Sequence, residues 1–485
     1  MSVLIEHTPG HVDALTPAQR RRAMRWVTAA WIFGAIWINA LAGAPLTVFA
    51  TQLGASNFEF GLLAAMPFMA ALLSLPASVL TERTGRRSLI FFLGLYPNRL
   101  LWIAVAFVPP WVLSYYGERG SAAAVFVFLT LIFVINIGQA MGGPAWVSWM
   151  AEIVPDRVRG RYFARRRQIG ILAAVPTALL AGWVLDHYHT ADPQTLMRVC
   201  GIIFVIAALV GTVDIACFHP VPHTVRPKPR EPLLRTLGHP LRNSRFVWFS
   251  LGAAIMWFAV AGQAQFVNKY LVDELKLRST QVQMIVLVGP LLAQLFVLPI
   301  WGRTIDRFGK KPAILIAALG LVPVGAGWVL LGQGHIWLAY ALTILGSVLW
   351  TGVDVANFNL VIELSGTDPD GKSGGSAYTA VNGVIVNVAG CLGGLFYGVV
   401  AEWLQDVQFY AGLAKPMTYY EIIFAASAAL RLVAVVPLLK MKEPEAEPTL
   451  DALRFMAGSL YNNVVGVVTL PSRLFVRQSS QEELP

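Results

Sequence analysis

The segment Gly302-Arg303-Thr304-Ile305-Asp306-Arg307-Phe308-Gly309-Lys310-Lys311 lies between two long apolar runs of the chain. A shorter relative, Glu82-Arg83-Thr84-Gly85-Arg86-Arg87, lies between two other apolar runs, 224 positions earlier. Both share the order acidic residue, Arg, any residue, Gly and two basic residues. Two further apolar runs end alike, in Met150-Ala151-Glu152-Ile153 and Val361-Ile362-Glu363-Leu364. The repeat indicates a chain built from two related halves.

The composition predicts an α-helical membrane protein. Charged residues are 13% of the chain, against about 25% in an ordinary soluble domain, and hydrophobic residues are 56%. An apolar run of about 18 residues can cross the bilayer as a helix, which satisfies its own backbone hydrogen bonds there. Twelve such runs predict twelve membrane helices, here numbered span 1 to span 12: Trp26–Ala50, Phe58–Leu80, Ser88–Pro110, Ser121–Ala151, Gln168–Leu185, Leu196–Phe218, Phe246–Leu271, Val282–Ile300, Pro312–Leu331, Ile336–Ile362, Ala377–Leu404 and Tyr419–Leu439.

The distribution of basic residues predicts the orientation. If the N-terminus is cytoplasmic, 29 of the 37 Lys and Arg residues lie in cytoplasmic loops and tails, and 6 lie on the other side. Basic residues concentrate on the cytoplasmic side of membrane proteins, so both termini are expected in the cytoplasm. The net charge of +10 is therefore assigned to contact with lipid rather than with nucleic acid.

The chain divides into five predicted parts. Residues 1–25 form a cytoplasmic tail, 26–218 a first six-helix bundle, 219–245 a proline-rich cytoplasmic linker, 246–440 a second six-helix bundle and 441–485 a C-terminal tail. Within that tail, the largely apolar stretch 453–475 is flanked by arginines. It is interpreted as an amphipathic helix at the membrane surface; a thirteenth span is the alternative.

These motifs give the chain a resemblance to the major facilitator superfamily over roughly residues 20–440. The loop after span 8 resembles that family's signature, whereas the loop after span 2 departs from it with Ser78 and Glu82 in place of glycine and aspartate. The segment Pro155-Asp156-Arg157-Val158-Arg159-Gly160-Arg161 resembles a basic loop of bacterial members. The resemblance implies an all-α membrane protein with two pseudo-symmetric bundles that rock to alternate access, in a bacterial inner membrane.

The resemblance also implies a cytoplasmic gate made by the charged loops. Asp306 is expected to pair with Arg157, Arg161 or Arg165, and Glu82 to meet the region 372–375. Glu152 and Glu363 are expected to pair with Arg83 and Arg307. The alternative is that these charges only enforce topology. The predicted gate set is Glu82, Arg83, Gly85, Arg86, Arg87, Glu152, Arg157, Arg161, Gly302, Asp306, Arg307, Gly309, Lys310, Lys311 and Glu363.

A central cavity is expected between the helices, as the resemblance implies, lined mainly by spans 1, 4, 7 and 10. Amide and indole side chains on the cavity-lining spans suit a polar ligand, although each also serves as an interhelical hydrogen bond. The predicted substrate-binding set is Asn39, Asn136, Gln139, Trp146, Gln263, Gln265, Asn268, Gln294, Trp350, Asp354, Asn357 and Asn382. Asp354 is also the proton-coupling candidate, because burial in span 10 would raise its pKa.

Two arginines, Arg99 and Arg431, lie near the middle of predicted spans. A charge at that depth is costly and needs a partner or a water-filled cavity. One interpretation is binding of an anionic substrate. Structural pairing is preferred, since spans 3 and 12 usually lie outside the cavity in this fold. Asp214, closer to the cytoplasmic end of span 6, is interpreted as a packing charge.

The preferred function is secondary transport of a small polar metabolite or sugar-like solute, with protons as a candidate coupling ion and a monomer as the expected state. Three alternatives stay open: a drug/proton antiporter; a non-transporting member that assists assembly of, or delivers pigment to, a membrane complex; and a substrate-sensing receptor, for which the sequence offers no separate signalling domain. The sequence gives no cofactor or metal pattern. A P-loop-like string at 366–373 is interpreted as coincidence, since it joins two membrane helices rather than a strand and a helix.

Overall fold

The computed structural model describes residues 15–222, 240–366, 376–408, 417–443 and 447–468, with some side chains inside these ranges left aside. Over this part of the chain the structure is α-helical. Twelve helices in it are long and apolar enough to cross a membrane, which confirms the predicted fold class. They are Pro17–Leu41, Asn57–Thr81, Arg87–Tyr116, Ser121–Ile153, Arg161–His187, Pro193–Ala216, Ser244–Glu274, Ser279–Phe308, Lys310–Leu330, Ile336–Val361, Tyr378–Leu404 and Tyr419–Lys440.

Span 1 begins and ends earlier than the sequence predicts. Its helix starts at Pro17, where Thr16 and Gln19 form a capping box, because the side chains of these two residues satisfy free backbone N–H groups. The helix ends at Leu41, and Gly43 then adopts a φ of +74° before a second helix, Ala44–Gln52. Only glycine adopts this backbone conformation without a steric penalty. The apolar run 26–50 is therefore two helices.

Span 5 is longer than predicted, because its helix runs over Asp156–His187 rather than beginning at Gln168. Pro155 precedes the first turn, a region of a helix that tolerates proline. The predicted start of span 5 at Gln168 left Arg165-Arg166-Arg167 in a loop, and that boundary was wrong. These arginines lie on a continuous helix, which fixes the direction in which each one points.

Residue contacts group the chain into two compact units. The first unit comprises residues 1–233, 261–288 and 390–407, and so contains spans 1 to 6 together with parts of spans 7, 8 and 11. The second comprises residues 234–260, 289–389 and 408–485. The predicted linker residues 223–239 lie outside the described part of the chain.

The first unit has an aromatic core and a set of close contacts at one end. Phe91 packs edge-on against Trp149 and tilted against Phe218. At the end of span 5, the Asp186 carboxylate accepts hydrogen bonds from the backbone N–H groups of Ser279 (2.5 Å) and Thr280 (3.1 Å) at the start of span 8. These bonds satisfy N–H groups that the first turn of a helix leaves free.

Spans 2 and 11 also meet closely within the first unit. A Cβ placed on Gly398 would lie 2.9 Å from the Gly61 Cα. The Glu402 carboxylate accepts a hydrogen bond from the Phe58 backbone N–H at 3.0 Å. Small residues allow helix backbones in a membrane to approach this closely.

The second unit packs around Trp301, which is fully buried and donates a hydrogen bond to the Val348 carbonyl at 2.8 Å. The helix Thr449–Val468 follows span 12. Met456 on this helix is buried, Leu453 is half exposed, and Phe455 packs against Phe308 of span 8 with ring centroids 5.3 Å apart. The helix therefore has one face against the protein and one exposed face. Its placement at a lipid surface stays a prediction.

Candidate functional site

The first unit contains a partly open cavity of about 770 Å3. This volume is within the range of sites that bind small molecules. Spans 1 to 7 all contribute to its lining, which is mostly apolar. Three of the lining residues carry a formal charge: Arg99, Arg166 and Asp214.

Arg99 and Asp214 form an ion pair in the cavity wall. The Arg99 Nη2 lies 3.1 Å from the Asp214 Oδ2, and the two residues are 5% and 6% exposed. The guanidinium also donates to the Asn98 side-chain oxygen and lies 3.5 Å above the Trp37 ring. Burial of both charges is compatible with the membrane because each has polar or aromatic neighbours.

Two glycines give this pair its space. A Cβ on Gly211 would lie 2.6 Å from the Arg99 Cδ, and a Cβ on Gly34 would lie 3.0 Å from the Asp214 Oδ2. Because real Cβ atoms hardly ever come this close, a larger residue at Gly211 would displace the arginine. The small residues of spans 1 and 6 thus fix the position of the buried charges.

Arg166 of span 5 lies between two indoles. Its guanidinium carbon is 4.3 Å from the centre of the Trp31 ring and 5.0 Å from that of Trp146. Its Nε donates a long hydrogen bond to the Val27 carbonyl, at 3.4 Å. Gly170, one turn further along span 5, leaves room for the Trp31 ring. Cation–π contacts of this kind hold a guanidinium by its faces and leave its N–H edge available.

Four of the predicted substrate-binding residues line this cavity. They are Asn136, Gln139, Trp146 and Gln265.

The other predicted residues of the first unit are not among those that line it. Asn39 is buried and donates to the Ala35 carbonyl of its own helix at 2.8 Å. Gln263 is buried, and Asn268 is half-buried.

The remaining predicted residues lie in the second unit. Gln294 donates to the Ser347 hydroxyl at 3.1 Å, and Asn382 donates to the Asn357 side-chain oxygen at 3.3 Å. Trp350 packs edge-on against Trp257. Asp354 lies on the helix Ile336–Gly366 and is exposed. Its proton-coupling role stays a prediction.

The charged loop residues form ion pairs different from those predicted. Glu152 lies 2.7 Å from the Arg87 Nη1 rather than pairing with Arg83. Arg87 begins the helix of span 3, so its side chain is held beside the end of span 4, whereas Arg83 is exposed in the last turn before Gly85. The predicted Arg83 pairing was wrong because the spacing in the loop does not fix which basic residue points inward.

Glu363 likewise pairs with Lys310 at 2.6 Å and with Arg245 at 2.8 Å, not with Arg307. Arg307 instead lies 5.3 Å from the ring centre of Phe455. Burial alone raises the pKa of the Glu363 carboxyl, but the hydrogen bonds and charges of Lys310 and Arg245 outweigh it. The pKa of Glu363 is therefore held below its ordinary value.

The two signature glycines adopt positive φ angles, +65° at Gly85 and +95° at Gly309, which explains why glycine stands at each turn. Asp306 is exposed. The side chains of Glu82 and Arg157 and the residues 372–375 lie outside the described part of the structure.

The predicted gate residues not discussed above lie in or beside these helices. Arg86 is exposed before span 3, Arg161 is exposed on span 5, Gly302 lies on span 8, and the Lys311 Nζ donates to the Leu439 carbonyl at 2.9 Å.

The charged centre of the cavity was not predicted from the sequence. Arg99 was expected to be paired outside the cavity, whereas the structure pairs it with Asp214 and places both in the cavity wall. Arg166 was counted as a loop residue. A helix continued back to Pro155 would have placed Arg166 one turn before Gly170, on a helix rather than in a loop. Arg431, by contrast, is buried in the second unit and donates to the Leu321 carbonyl at 2.9 Å.

Comparison with solved structures shows the fold. A point mutant of the nucleoside transporter NupG is 11% identical, with a TM-score of 0.63, over 88% of this chain and 100% of that one. A bacterial homologue of the iron transporter ferroportin, inward-facing, is 13% identical, with a TM-score of 0.62, over 87% and 98%. A bacterial homologue of the human lysosomal transporter Spinster, inward-facing and unoccupied, is 15% identical, with a TM-score of 0.61, over 92% and 99%.

No curated protein matches the chain in sequence. A sequence model of the Major Facilitator Superfamily, however, matches residues 26–398, which is most of the chain. Together with twelve helices in the described residues that are long and apolar enough to cross a membrane, and a fold shared with solved transporters, this match establishes the chain as an integral membrane protein that belongs to the Major Facilitator Superfamily.

Proposed function

We propose that this protein is a secondary active transporter and that the cavity of the first unit is its substrate site. The observation that carries the proposal is the set of charged side chains in that wall. A buried charge inside a membrane is costly and is retained mainly where it serves a substrate, an ion or a proton. Arg99, Asp214 and Arg166 line one cavity with the amides of Asn136 and Gln139.

The close contacts at the ends of spans 2, 5, 8 and 11 act as one gate of an alternating-access cycle. Asp186 holds the start of span 8, and Gly61 faces Gly398. Lysine and arginine are in excess at the opposite ends of these spans, and such an excess marks the cytoplasmic side. This gate is therefore extracellular, and both termini are cytoplasmic. Opening it requires the Asp186 hydrogen bonds to break and the glycine contact to separate, while the loops near Asp306 close.

The protein works as a monomer in the bacterial inner membrane, and its substrate is a small polar solute. Protons are the proposed coupling ion, with Asp354 as the candidate carrier. Asp354 is the acidic residue within predicted span 10 and stands apart from the basic loops. A drug antiporter fits less well, since the cavity wall carries two cationic groups and one paired carboxylate.

The test is a metabolite thermal-shift screen on the purified protein, followed by uptake of each hit into proteoliposomes with and without a proton gradient. We expect at least one hit to accumulate inside and to exchange with internal solute. Hits that stabilise the protein but never cross the membrane, together with stable co-purification of another membrane complex, would instead identify a non-transporting assembly partner.

A further inference from the structure

The charged residues of the cavity wall do not balance. Arg99 and Arg166 contribute two positive charges and Asp214 one negative charge, and no other lining residue is ionisable at neutral pH. Asp214 lies 3.1 Å from Arg99 and neutralises it. The wall therefore has a formal charge of +1, located on Arg166.

Arg166 forms no ion pair with a carboxylate among the described residues, although the charge of Asp214, which is paired with Arg99, also acts on it. It contacts the two indole faces, its Nε donates the long hydrogen bond to the Val27 carbonyl, and Tyr162 interacts with it electrostatically. The terminal nitrogens of the guanidinium make no hydrogen bond to the described protein atoms. These N–H groups form a planar fork that fits a carboxylate or phosphate in a bidentate manner.

The rest of the lining is apolar and aromatic. Trp31 and Trp146 flank Arg166, and Ile132, Ile135 and Leu95 face the same cavity. A fully hydrated inorganic anion would gain nothing from these side chains, whereas an organic group would bury apolar area against them. The volume of about 770 Å3 exceeds the need of a small ion.

From this arrangement we propose that the substrates are organic anions with an apolar body, whose carboxylate or phosphate group binds to Arg166 between Trp31 and Trp146. Calling these anions substrates rests on the proposed transport function, but their binding can be measured without transport. Within the proposed class of small polar solutes, this arrangement favours an organic acid over the neutral sugar-like solute that the amide residues alone would favour. Arg166 is the specificity-determining residue, and the Arg99–Asp214 pair shapes the wall beside it.

The experiment compares ligands of one shape and different charge. Equilibrium dialysis of purified full-length protein measures the affinities for 2-naphthoate, 2-naphthyl phosphate, the neutral 2-naphthamide and the cationic 2-naphthylmethylammonium. We expect the better of the two anions to bind about ten- to a hundred-fold more tightly than the amide, as a charge-assisted hydrogen bond allows. The carboxylate and phosphate arms show which acid group the site prefers.

Arg166→Gln should remove this preference, because it lowers the affinity for the anions and leaves the affinity for 2-naphthamide unchanged. Arg166→Lys keeps the charge but loses the planar fork, so its affinity for the anions should lie between those of the unaltered protein and the Arg166→Gln variant. Arg167→Gln is the matched control, because Arg167 is the next residue of the same helix, is exposed and does not line the cavity. It should retain the affinity and the selectivity of the unaltered protein.

The proposal is overturned if neither anion binds more tightly than 2-naphthamide to the unaltered protein, an outcome independent of whether any variant folds. It is also overturned if a folded Arg166→Gln variant keeps the anion preference. Anion binding without uptake in proteoliposomes would contradict the transport function and leave the anion site intact. Uptake of neutral solutes with no anion preference would support the transport function and contradict the anion site.

Discussion

Replacing Asp214 with asparagine should destabilise the protein strongly, because it leaves the Arg99 guanidinium buried without its counter-charge. Arg99 is 5% exposed and Asp214 is 6% exposed, so water cannot take over the role of the carboxylate. Removing one partner of a buried ion pair costs about 3–5 kcal/mol. The Asn98 oxygen and the Trp37 ring remain beside the cation, which places the expected loss near the lower limit, about 3 kcal/mol.

The same reasoning predicts that removing both charges is milder than removing one. Arg99→Met combined with Asp214→Leu replaces the pair with apolar groups of similar size, and such exchanges are often close to neutral. The double variant should therefore be more stable than the Asp214→Asn variant. Asp451→Asn is the control, since its ion pair with Arg454 on the C-terminal helix is exposed.

The assay is unfolding of the purified protein in bicelles by titration with sodium dodecyl sulfate, followed by tryptophan fluorescence. We expect a large decrease in the free energy of unfolding for Asp214→Asn, partial or full recovery in the double variant, and no measurable change in the control. The account of the buried pair is refuted if Asp214→Asn unfolds together with the unaltered protein. It is equally refuted if the double variant is less stable than the Asp214→Asn variant.

Three further outcomes follow from the described contacts. Gly398→Leu should abolish uptake but keep ligand binding, because its side chain would overlap Gly61. Gly383→Ala is the control and should transport normally, since a Cβ at Gly383 meets open space. Normal uptake by the Gly398→Leu variant would exclude the glycine contact from the gate. The pKa of Glu363 is lower in the folded protein, so its stabilising contribution is complete above about pH 4.3 and is lost as pH falls through the folded pKa. Between pH 6 and pH 3, the thermal stability of the unaltered protein should therefore decrease by more than that of the Glu363→Gln variant. Identical pH profiles of the two proteins would contradict the ion pairs. Asp354→Asn should abolish proton-driven uptake and spare exchange, and an unchanged dependence on the proton gradient would remove Asp354 as the proton carrier.

The fold was predictable from the sequence because the membrane permits few solutions. Apolar runs of sufficient length must be helices in lipid, and the repeated loops at Gly85 and Gly309 identify related halves. Helix ends were less predictable. The basic run at Arg165 to Arg167 resembles a loop in composition, yet it continues a helix that begins at Asp156, since arginine is a good helix former.

The site was only partly predictable, because side-chain direction depends on helix rotation. Asn136, Gln139, Trp146 and Gln265 line the cavity as expected, since polar residues on cavity-lining spans avoid lipid. No property of the sequence showed that Asp214 would meet Arg99.

That meeting depends on the close packing of spans 1, 3 and 6 at Gly34 and Gly211. Such small-residue contacts between distant segments leave no periodic signal along the chain.

The most direct measurement of the central claim is protection of the cavity by a transported solute. In a protein whose three native cysteines are replaced by serine, Asn136→Cys places one thiol in the cavity wall, and its modification by a thiol reagent is followed over time. A solute that the protein transports should slow this reaction, with half-protection at the concentration that half-saturates uptake. A transported solute that leaves the modification rate unchanged at saturating concentration would contradict the assignment of this cavity as the substrate site.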